Sequence, residues 1–440
     1  MTTELLVFLM FFGLVVGVLM GFPIAFTLLG VGIIVGYMGV GSVVFLFTGY
    51  RINAVVEEWI FVAIPLFVFI GCMMERSGMA DNAFGVLDQW TRKFKGGLGI
   101  TTVIICVIFA ACIGFPGASV STIGLISLAP MIDRGYSKEL STGIVAAGGV
   151  LGMLLPPSIV LVLFSTMLSM PMLRLFLAAA VPGLILAVFY LLYAWLIGYF
   201  KKDAIPDKSV NLNLPKQYTF WRGLWSFLPF VILIFTILGT IFFGIATLVE
   251  ASGLGAIASI ILAICYKKFS GTVLMDAARN TIKVTSMVVF LALGATLFTS
   301  VFFIIGGRGV VRNLVMGSGL GPFGVFVLFL ALVFIMGIFM DWMGVCMILV
   351  PIFVPLLTDL GFDPIHVSVV VLTLLQTSFL TPPFAQGVFY TMAVAPPGVT
   401  INDAYRGAIP FIVIQLIVVV ICIVFPNLVM VLSNTVVMGW

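Results

Sequence analysis

Apolar runs dominate the chain, and polar residues appear as short punctuation between them. Residues 5–22, 59–74, 172–200, 224–244 and 411–425 approach or exceed the ~20 apolar residues that cross a bilayer as one helix. The short alternating segments of a membrane barrel do not occur. The first run has no basic segment before it and no small-residue cleavage site after it, so it reads as a retained span. The pattern predicts an all-α polytopic membrane protein. One segment has a different character: "MADNAFGVLDQWTRKFKGG" from Met79 sets Phe84, Leu87, Trp90 and Phe94 at helical spacing opposite Asp81, Asp88, Arg92 and Lys93. It predicts an amphipathic helix on the cytoplasmic surface.

Two apolar runs contain a Pro-Pro pair, "MLLPPSIVLVLF" from Met153 and "FLTPPFAQGVFY" from Phe379. Proline lacks an amide hydrogen and clashes with the preceding turn, so a tandem pair interrupts a helix and frees backbone carbonyls and amides. In hydrocarbon such a break is tolerated only where it faces protein or a watery cavity. The two breaks are also related. A shift of 226 residues pairs Asp133 with Asp359, Gly135 with Gly361, Pro156 with Pro382, Pro157 with Pro383 and Pro171 with Pro397, without a gap. That shared punctuation predicts an internal repeat.

Loop charges predict how the copies are oriented, because Lys and Arg in short loops favour the cytoplasm. "DRGYSKE" from Asp133 carries Arg134 and Lys138, whereas its partner "DLGFDPIH" from Asp359 carries neither type. The loops from Lys201 to Gly223 and from Tyr266 to Lys283 are basic, and five spans lie between Leu140 and Gly306. An odd number inverts the second copy. Arg308 and Arg312 then fall on the outer side, against the trend.

Ahead of each break stands a second irregularity. "CIGFPGASVSTIG" from Cys112 separates apolar runs too short to cross, 98–113 and 123–132, and predicts a re-entrant hairpin. Its repeat counterpart is "MDWMGVCM" from Met340, between 323–339 and 345–357. There Asp341 is the most deeply placed acid; it either serves function, as intramembrane carboxylates commonly do, or caps the following half-helix. Gln376, Thr377, Ser378 and Thr381 either face the site ahead of the second break or bond to neighbouring helices. Glu250 is expected at the outer end of a span, Arg174 at the interface, and His366 in an external loop.

Composition narrows the function classes. The 440 residues are 62% hydrophobic and 8% charged, with mean hydropathy +1.32, more apolar surface than a soluble domain can bury. A net charge of +4, scattered along the chain, argues against nucleic acid as a partner. All six cysteines lie in apolar stretches without metal or redox spacing and read as packing residues. A P-loop, a paired-histidine motif and a nucleophile elbow are all missing from the sequence, which argues against ATP hydrolysis and against an enzyme. Inverted halves with unwound helices near the midplane are a secondary-transporter pattern, in which helix N-termini attract anions and open carbonyls hold sodium.

Nearly end to end, the sequence resembles the large membrane subunit of tripartite ATP-independent periplasmic (TRAP) transporters, most like the branch labelled mannitol or chloroaromatic type. The resemblance is carried by "ERSGMAD" from Glu75, "GGLGITTVIICVIFAACIG" from Gly96, "DRGYSKELSTGIVAAGGVLGMLLPPSI" from Asp133, "GIATLVEAS" from Gly244, "MDWMG" from Met340, "LGFDPIHVSVV" from Leu360 and "LTPPFAQGVFY" from Leu380. It implies a sodium-driven importer in the bacterial cytoplasmic (inner) membrane, with an elevator-type, inverted-repeat fold of two hairpins and two discontinuous helices. The implied partners are a small four-helix membrane subunit and a periplasmic substrate-binding protein, which delivers a carboxylate or sulfonate.

On that pattern the domains are N-terminal scaffold and arm (1–97), first transport half (98–171), scaffold and linker (172–320), second transport half (321–398) and C-terminal scaffold helix (399–440). One sodium and substrate region is implied at Gly117, Ala118, Ser119, Ser121 and Thr122 with Pro156, Pro157 and Ser158. The other is implied at Asp341, Trp342 and Gly344 with Gln376, Thr377, Ser378, Thr381, Pro382 and Pro383. The sequence departs from the family at the first tip, where Ile113, Gly114, Phe115 and Pro116 replace a hydroxyl-rich stretch. The second break also reads "TPPFAQG" where "TPPVG" is common in the family, so Phe115 at the first tip and Phe384 and Gln386 at the second break are candidate specificity residues. A self-sufficient sodium and organic-acid symporter, needing no binding protein, is the alternative reading.

Overall fold

The structure is a computed structural model that describes residues 2–200, 204–205 and 220–437. Every regular element among them is helical, as a bilayer requires of a chain that must satisfy its own amides. Most of the basic linker expected from Lys201 to Gly223 lies outside the described residues.

The chain opens with α1 (Thr3–Leu19), α2 (Ile24–Val40) and α3 (Val43–Val56). There follow α4 (Ala63–Arg76), α5 (Met79–Thr91), α6 (Gly97–Ile113), α7 (Pro116–Asp133), α8 (Lys138–Val150), α9 (Ile159–Met167) and α10 (Met172–Phe200). Then α11 (Phe220–Ile234) runs through a π-helical turn into α12 (Thr240–Phe242), followed by α13 (Leu248–Cys265). A second series comprises α14 (Gly271–Ile304), α15 (Gly307–Gly317), α16 (Pro322–Phe339), α17 (Trp342–Asp359), α18 (Pro364–Ser378), α19 (Gln386–Ala393) and α20 (Ile401–Val424), before α21 (Pro426–Val437).

The duplication is wider than the proline punctuation predicted. Displaced by 226 residues, α7 coincides with α17 at both ends, and α6, α8, α9 and α10 fall on α16, α18, α19 and α20 to within a few residues. The surface helix α5 has a counterpart too, α15; each begins after a glycine in the left-handed region, Gly78 (φ 64°) and Gly306 (φ 87°). Even the caps repeat: the Ser137 hydroxyl accepts from the amide of Leu140, and Asp363, at the equivalent place, accepts from Ile365 and His366. Between the copies of the loop, α10, α11–α12, α13 and α14 are each long and apolar enough to cross a membrane, and with the interrupted pair α8–α9 they correspond to the five spans expected from the sequence.

Both hairpins form with arms of 17 or 18 residues and turns of two residues or none beyond their caps. The first tip is tighter than its sequence suggested, because Pro116 is accommodated in the first turn of α7, where its missing amide hydrogen costs nothing. Gly117, Ala118, Ser119, Ser121 and Thr122 are thus helical residues rather than loop residues. Both proline pairs lie in real breaks: α8 gives way to a tight turn at Leu151–Met153 before α9, and 379–385 separates α18 from α19. Each pair is joined by a cis peptide bond. The first break is wholly buried, with Gly183 of α10 pressed against Leu154 and Leu155, whereas Pro382 and Pro383 are exposed.

Helices in lipid gain nothing from hiding apolar surface from one another, so close packing through small residues holds them together. Where α8 crosses α20, a side chain at Gly143 would collide with the carbonyl of Gly407, and one at Gly407 with the carbonyl of Glu139. The first arm of each hairpin meets its own broken helix in the same fashion. Gly152 approaches Ala110 in one half, and Gly337 approaches Ser378 in the other.

Three details differ from the sequence reading. The arm α5 buries Phe84 and Leu87 in the protein core, and Trp90 packs on Phe227 of α11 with ring centroids 5.7 Å apart. Asp88, assigned to its polar face, is buried instead and receives Arg134 at 2.5 and 2.9 Å and Arg92 at 2.8 Å. Burial pushes the Asp88 carboxyl up, but the hydrogen bonds from Arg134 and Arg92 outweigh it and hold the group below the usual carboxylate range. Arg308 of α15, which ran against the charge trend, pairs with Asp359 at 2.8 Å. Each copy of the loop between hairpin and broken helix is thus tied to a surface helix by an ion pair. Lastly, His366 belongs to the first turn of α18 rather than to a loop, and its Nε2 lies 2.9 Å from the carbonyl of Cys422. A structural contact accounts for it.

Candidate functional site

Each hairpin tip sits on the break of its own half. In the first, Gly114 ends α6 in the left-handed region (φ 60°), its carbonyl accepts from the amide of Ile159, and any side chain there would strike the carbonyl of Pro157. Glycine is required at that contact. In the second, Trp342 stacks on Phe379 with centroids 6.5 Å apart, and Gln386 of α19 lines the same cavity as Asp341. Asp341 also caps α17, accepting from the amide of Met343 at 3.3 Å, so its capping role is realised.

The tips then meet each other. Phe115, Pro116 and Gly117 from the first, and Asp341, Trp342 and Met343 from the second, enclose a cavity of about 20 Å³, closed by Phe379, Gln386 and Tyr390 and by Met287 of α14. That is room for about one water. Phe115 and Asp341 occupy equivalent repeat positions, each immediately before the second arm of its hairpin. The site is therefore symmetric in backbone and lopsided in charge: the one carboxylate comes from the second half.

The remaining candidates divide by what their polar atoms do. The hydroxyls of Ser119, Thr122 and Ser378, and both amide atoms of Gln376, are buried without a hydrogen-bond partner. Such groups cost free energy unless something else satisfies them. By contrast, Ser158 donates to Met153 at 2.9 Å, Thr377 to Leu374 at 2.7 Å and Thr381 to Thr377 at 2.7 Å; these hydroxyls keep only their lone pairs for other use. Pro156 and Pro157 shape the buried first break, and Pro382 and Pro383 the open second one. Ala118 and Ser121 are half-buried, while Gly344 leaves room for Ile24 of α2. Phe384 is half-buried and does not line the cavity; Phe115 and Gln386 do.

Four lining residues escaped the sequence reading: Met287, Met343, Phe379 and Tyr390. Tyr390 was within reach, four residues and so one helical turn beyond Gln386 on a short helix following a break. Met287 had no signal, since it sits in the middle of a long apolar helix. No cluster of three or more His, Cys, Asp or Glu side chains occurs among the described residues. The donors near the tips are hydroxyl, amide, carboxylate and backbone oxygens, a set suited to a hard cation and unsuited to zinc or copper.

An all-helical membrane chain with inverted halves, two interrupted helices and two hairpins whose tips meet at a small polar cavity has the architecture of a membrane transport protein. The sequence profile of the tripartite ATP-independent periplasmic transporter, DctM component, matches residues 11–428, and the chain belongs to that family. A Pseudomonas aeruginosa relative, the C4-dicarboxylate TRAP transporter large permease protein DctM, is 30% identical over 380 residues, covering 86% of this chain and 87% of that one. The isethionate TRAP transporter permease protein DctMQ of Oleidesulfovibrio alaskensis is 27% identical, covering 92% of this chain and 63% of that longer one. Among solved structures, the Alcanivorax borkumensis YdaH transporter shares the fold, with a TM-score of 0.62 over 94% of this chain and 97% of its own at 15% identity. The chain is a transport permease, not an enzyme.

Proposed function

We propose that the chain imports a small organic anion across the bacterial inner membrane, driven by sodium. A soluble periplasmic protein delivers the anion, and a small membrane subunit completes the scaffold. The relatives named for a C4-dicarboxylate and for isethionate support carboxylates and sulfonates as the substrate class. The greater length of the isethionate relative is consistent with a further membrane subunit fused to the permease.

One observation carries the reading: the two tips, with Phe379 from the second break, close on a cavity for about one water that Asp341 lines, and elsewhere in the same hairpins and broken helices Ser119, Thr122, Gln376 and Ser378 keep buried polar atoms without a partner. Ser119 and Thr122, with the carbonyls of the first break, are candidates for one sodium. Asp341 with the open carbonyls around Thr381, Pro382 and Pro383 are candidates for the other. The anion would lie between the tips, against the N-terminal amides of α7 and α17, which favour negative charge. Because the chamber is too small for such an anion, the hairpins must part to admit it. Sliding of 98–171 and 321–398 against the rest of the chain, in the elevator manner, would expose the chamber to each side in turn.

The test is uptake of succinate or isethionate by the complete three-component transporter in proteoliposomes under an imposed sodium gradient. Asp341→Asn is expected to insert normally and to lose at least ~90% of the sodium-driven rate, the scale of losing a charge-assisted hydrogen-bond set. Full uptake by that variant, or uptake indifferent to sodium, would overturn the proposal.

A further inference from the structure

A second cavity, of about 340 Å³, lies beside the tip chamber. It is walled by α3, by α14, by the end of α9 and by α17, the second arm of the second hairpin, with Glu58 and Phe61 from the turn that follows α3. The two cavities share walls. Met287 and Ala292 lie five residues apart on α14, and Met343 and Met347 one turn apart on α17; the first of each pair lines the tip chamber and the second lines this cavity. At 1.5 Å per residue the separation is about 6–8 Å. Its volume suits a small organic molecule, as that of the tip chamber does not.

Two opposite charges line it, Arg51 and Glu58, and neither forms an ion pair among the described residues. Thr296, Thr299 and Ser300 form a hydroxyl strip along α14. Thr299 and Ser300 spend their hydrogens on the carbonyls of Met347 and Thr296, and so offer lone pairs to a hydroxyl or ammonium donor. Arg51 is the planar donor suited to a carboxylate.

We propose that this cavity is an antechamber, open to the periplasm, that binds a small organic acid by its carboxylate on Arg51. Glu58 and the hydroxyl strip receive the far end, so that acids carrying one negative charge and a distal hydroxyl or ammonium are favoured over dianions. The proposal rests on the import reading for its direction and deepens it by naming the substrate class.

The experiment uses the complete transporter in right-side-out vesicles, with Ser300→Cys introduced on a Cys265→Ser background. A membrane-impermeant thiol reagent is applied from outside, with 4-hydroxybutyrate and succinate as four-carbon probes. Protection of the new thiol is expected at concentrations at least ~5-fold lower for 4-hydroxybutyrate. Arg51→Gln should raise both half-protecting concentrations by ~10-fold or more, the loss of a charged hydrogen bond, and Arg51→Lys should restore part of the effect. Glu58→Gln should remove the discrimination between the probes. Labelling only from the cytoplasmic side, protection unaltered in Arg51→Gln, or succinate preferred with Glu58 present would overturn the proposal. Asp341→Asn separates the two ideas: it should abolish uptake and leave this protection intact, and loss of both would return the signal to the tip chamber.

Discussion

Replacing Asp88 with Asn tests the tie between the surface helix α5 and the loop that follows the first hairpin. The native carboxylate is 4% exposed and accepts four hydrogen bonds, two from Arg134 and two from Arg92. Removing one member of a fully buried ion pair costs about 3–5 kcal/mol. Here the arginine side chains are 23% and 28% exposed, so water recovers part of the loss, and we expect about 2–3 kcal/mol. The cost should appear as local opening of α5 rather than as global unfolding. Hydrogen exchange on the protein in nanodiscs should therefore show amide protection over 79–91 falling by ~30–150-fold, at ~1.4 kcal/mol per factor of ten. In a double-mutant cycle, adding Arg134→Gln should cost little more than Asp88→Asn alone. Because the folded carboxyl titrates below its unfolded value, its contribution is complete above the ordinary carboxylate range near ~3.9 and disappears as pH falls beneath it. The native protein should be insensitive between about pH 5 and 8 in this respect. Protection unchanged in Asp88→Asn, or strictly additive effects of the two substitutions, would refute the reasoning.

Two further predictions concern packing and backbone. Gly143→Ala or Gly407→Ala must force α8 and α20 apart, because each new methyl would overlap a facing carbonyl; a loss of ~1–3 kcal/mol or more is expected in thermal unfolding in detergent, with Gly30→Ala in α2, whose methyl meets nothing and which should lose no stability, as the control. Ala385 lies in the left-handed region (φ 22°) where the second break rejoins α19, a strain of about 1–2 kcal/mol for a residue with a Cβ. Ala385→Gly relieves that at about 0.5–1 kcal/mol of backbone entropy, so the variant should be stabilised by up to ~1 kcal/mol, and a fall in its melting temperature would count against the strain.

What could be read from the sequence followed the places where backbone physics leaves few choices. Proline pairs cannot hide inside a helix, and short apolar arms joined by Gly-Phe-Pro or Met-Asp-Trp cannot cross alone; hence the breaks, the hairpins and the 226-residue displacement were all visible. The wider extent of the repeat was not. Between α10 and α20 the 226-residue displacement keeps only Ala178 with Ala404 and Ile197 with Ile423, too little to mark the pair, and the glycines that begin α5 and α15 are displaced by two residues from the common register. Charge misled at Asp88, because a polar side chain on an amphipathic helix looks the same whether it meets water or a partner across the fold. The Asp363-Pro364 start of α18 was a legible N-terminal signal, yet the loop's lack of basic residues drew attention away from it and left His366 in the wrong element. At the site, its depth in an apolar stretch identified Asp341 and the departure from the family pattern identified Gln386, whereas Met287 owes its place to tertiary geometry alone.

α7 and α17 are each 18 residues long, and both tips bound one chamber. Deleting a single residue from either arm would rotate everything ahead of it by about 100° about the helix axis and draw it back by about 1.5 Å. Phe115 or Asp341 would then point into a neighbouring helix. Arm length in this protein is accordingly as strict a specification as any side chain, and natural variation in length should collect in the connectors outside the two hairpins.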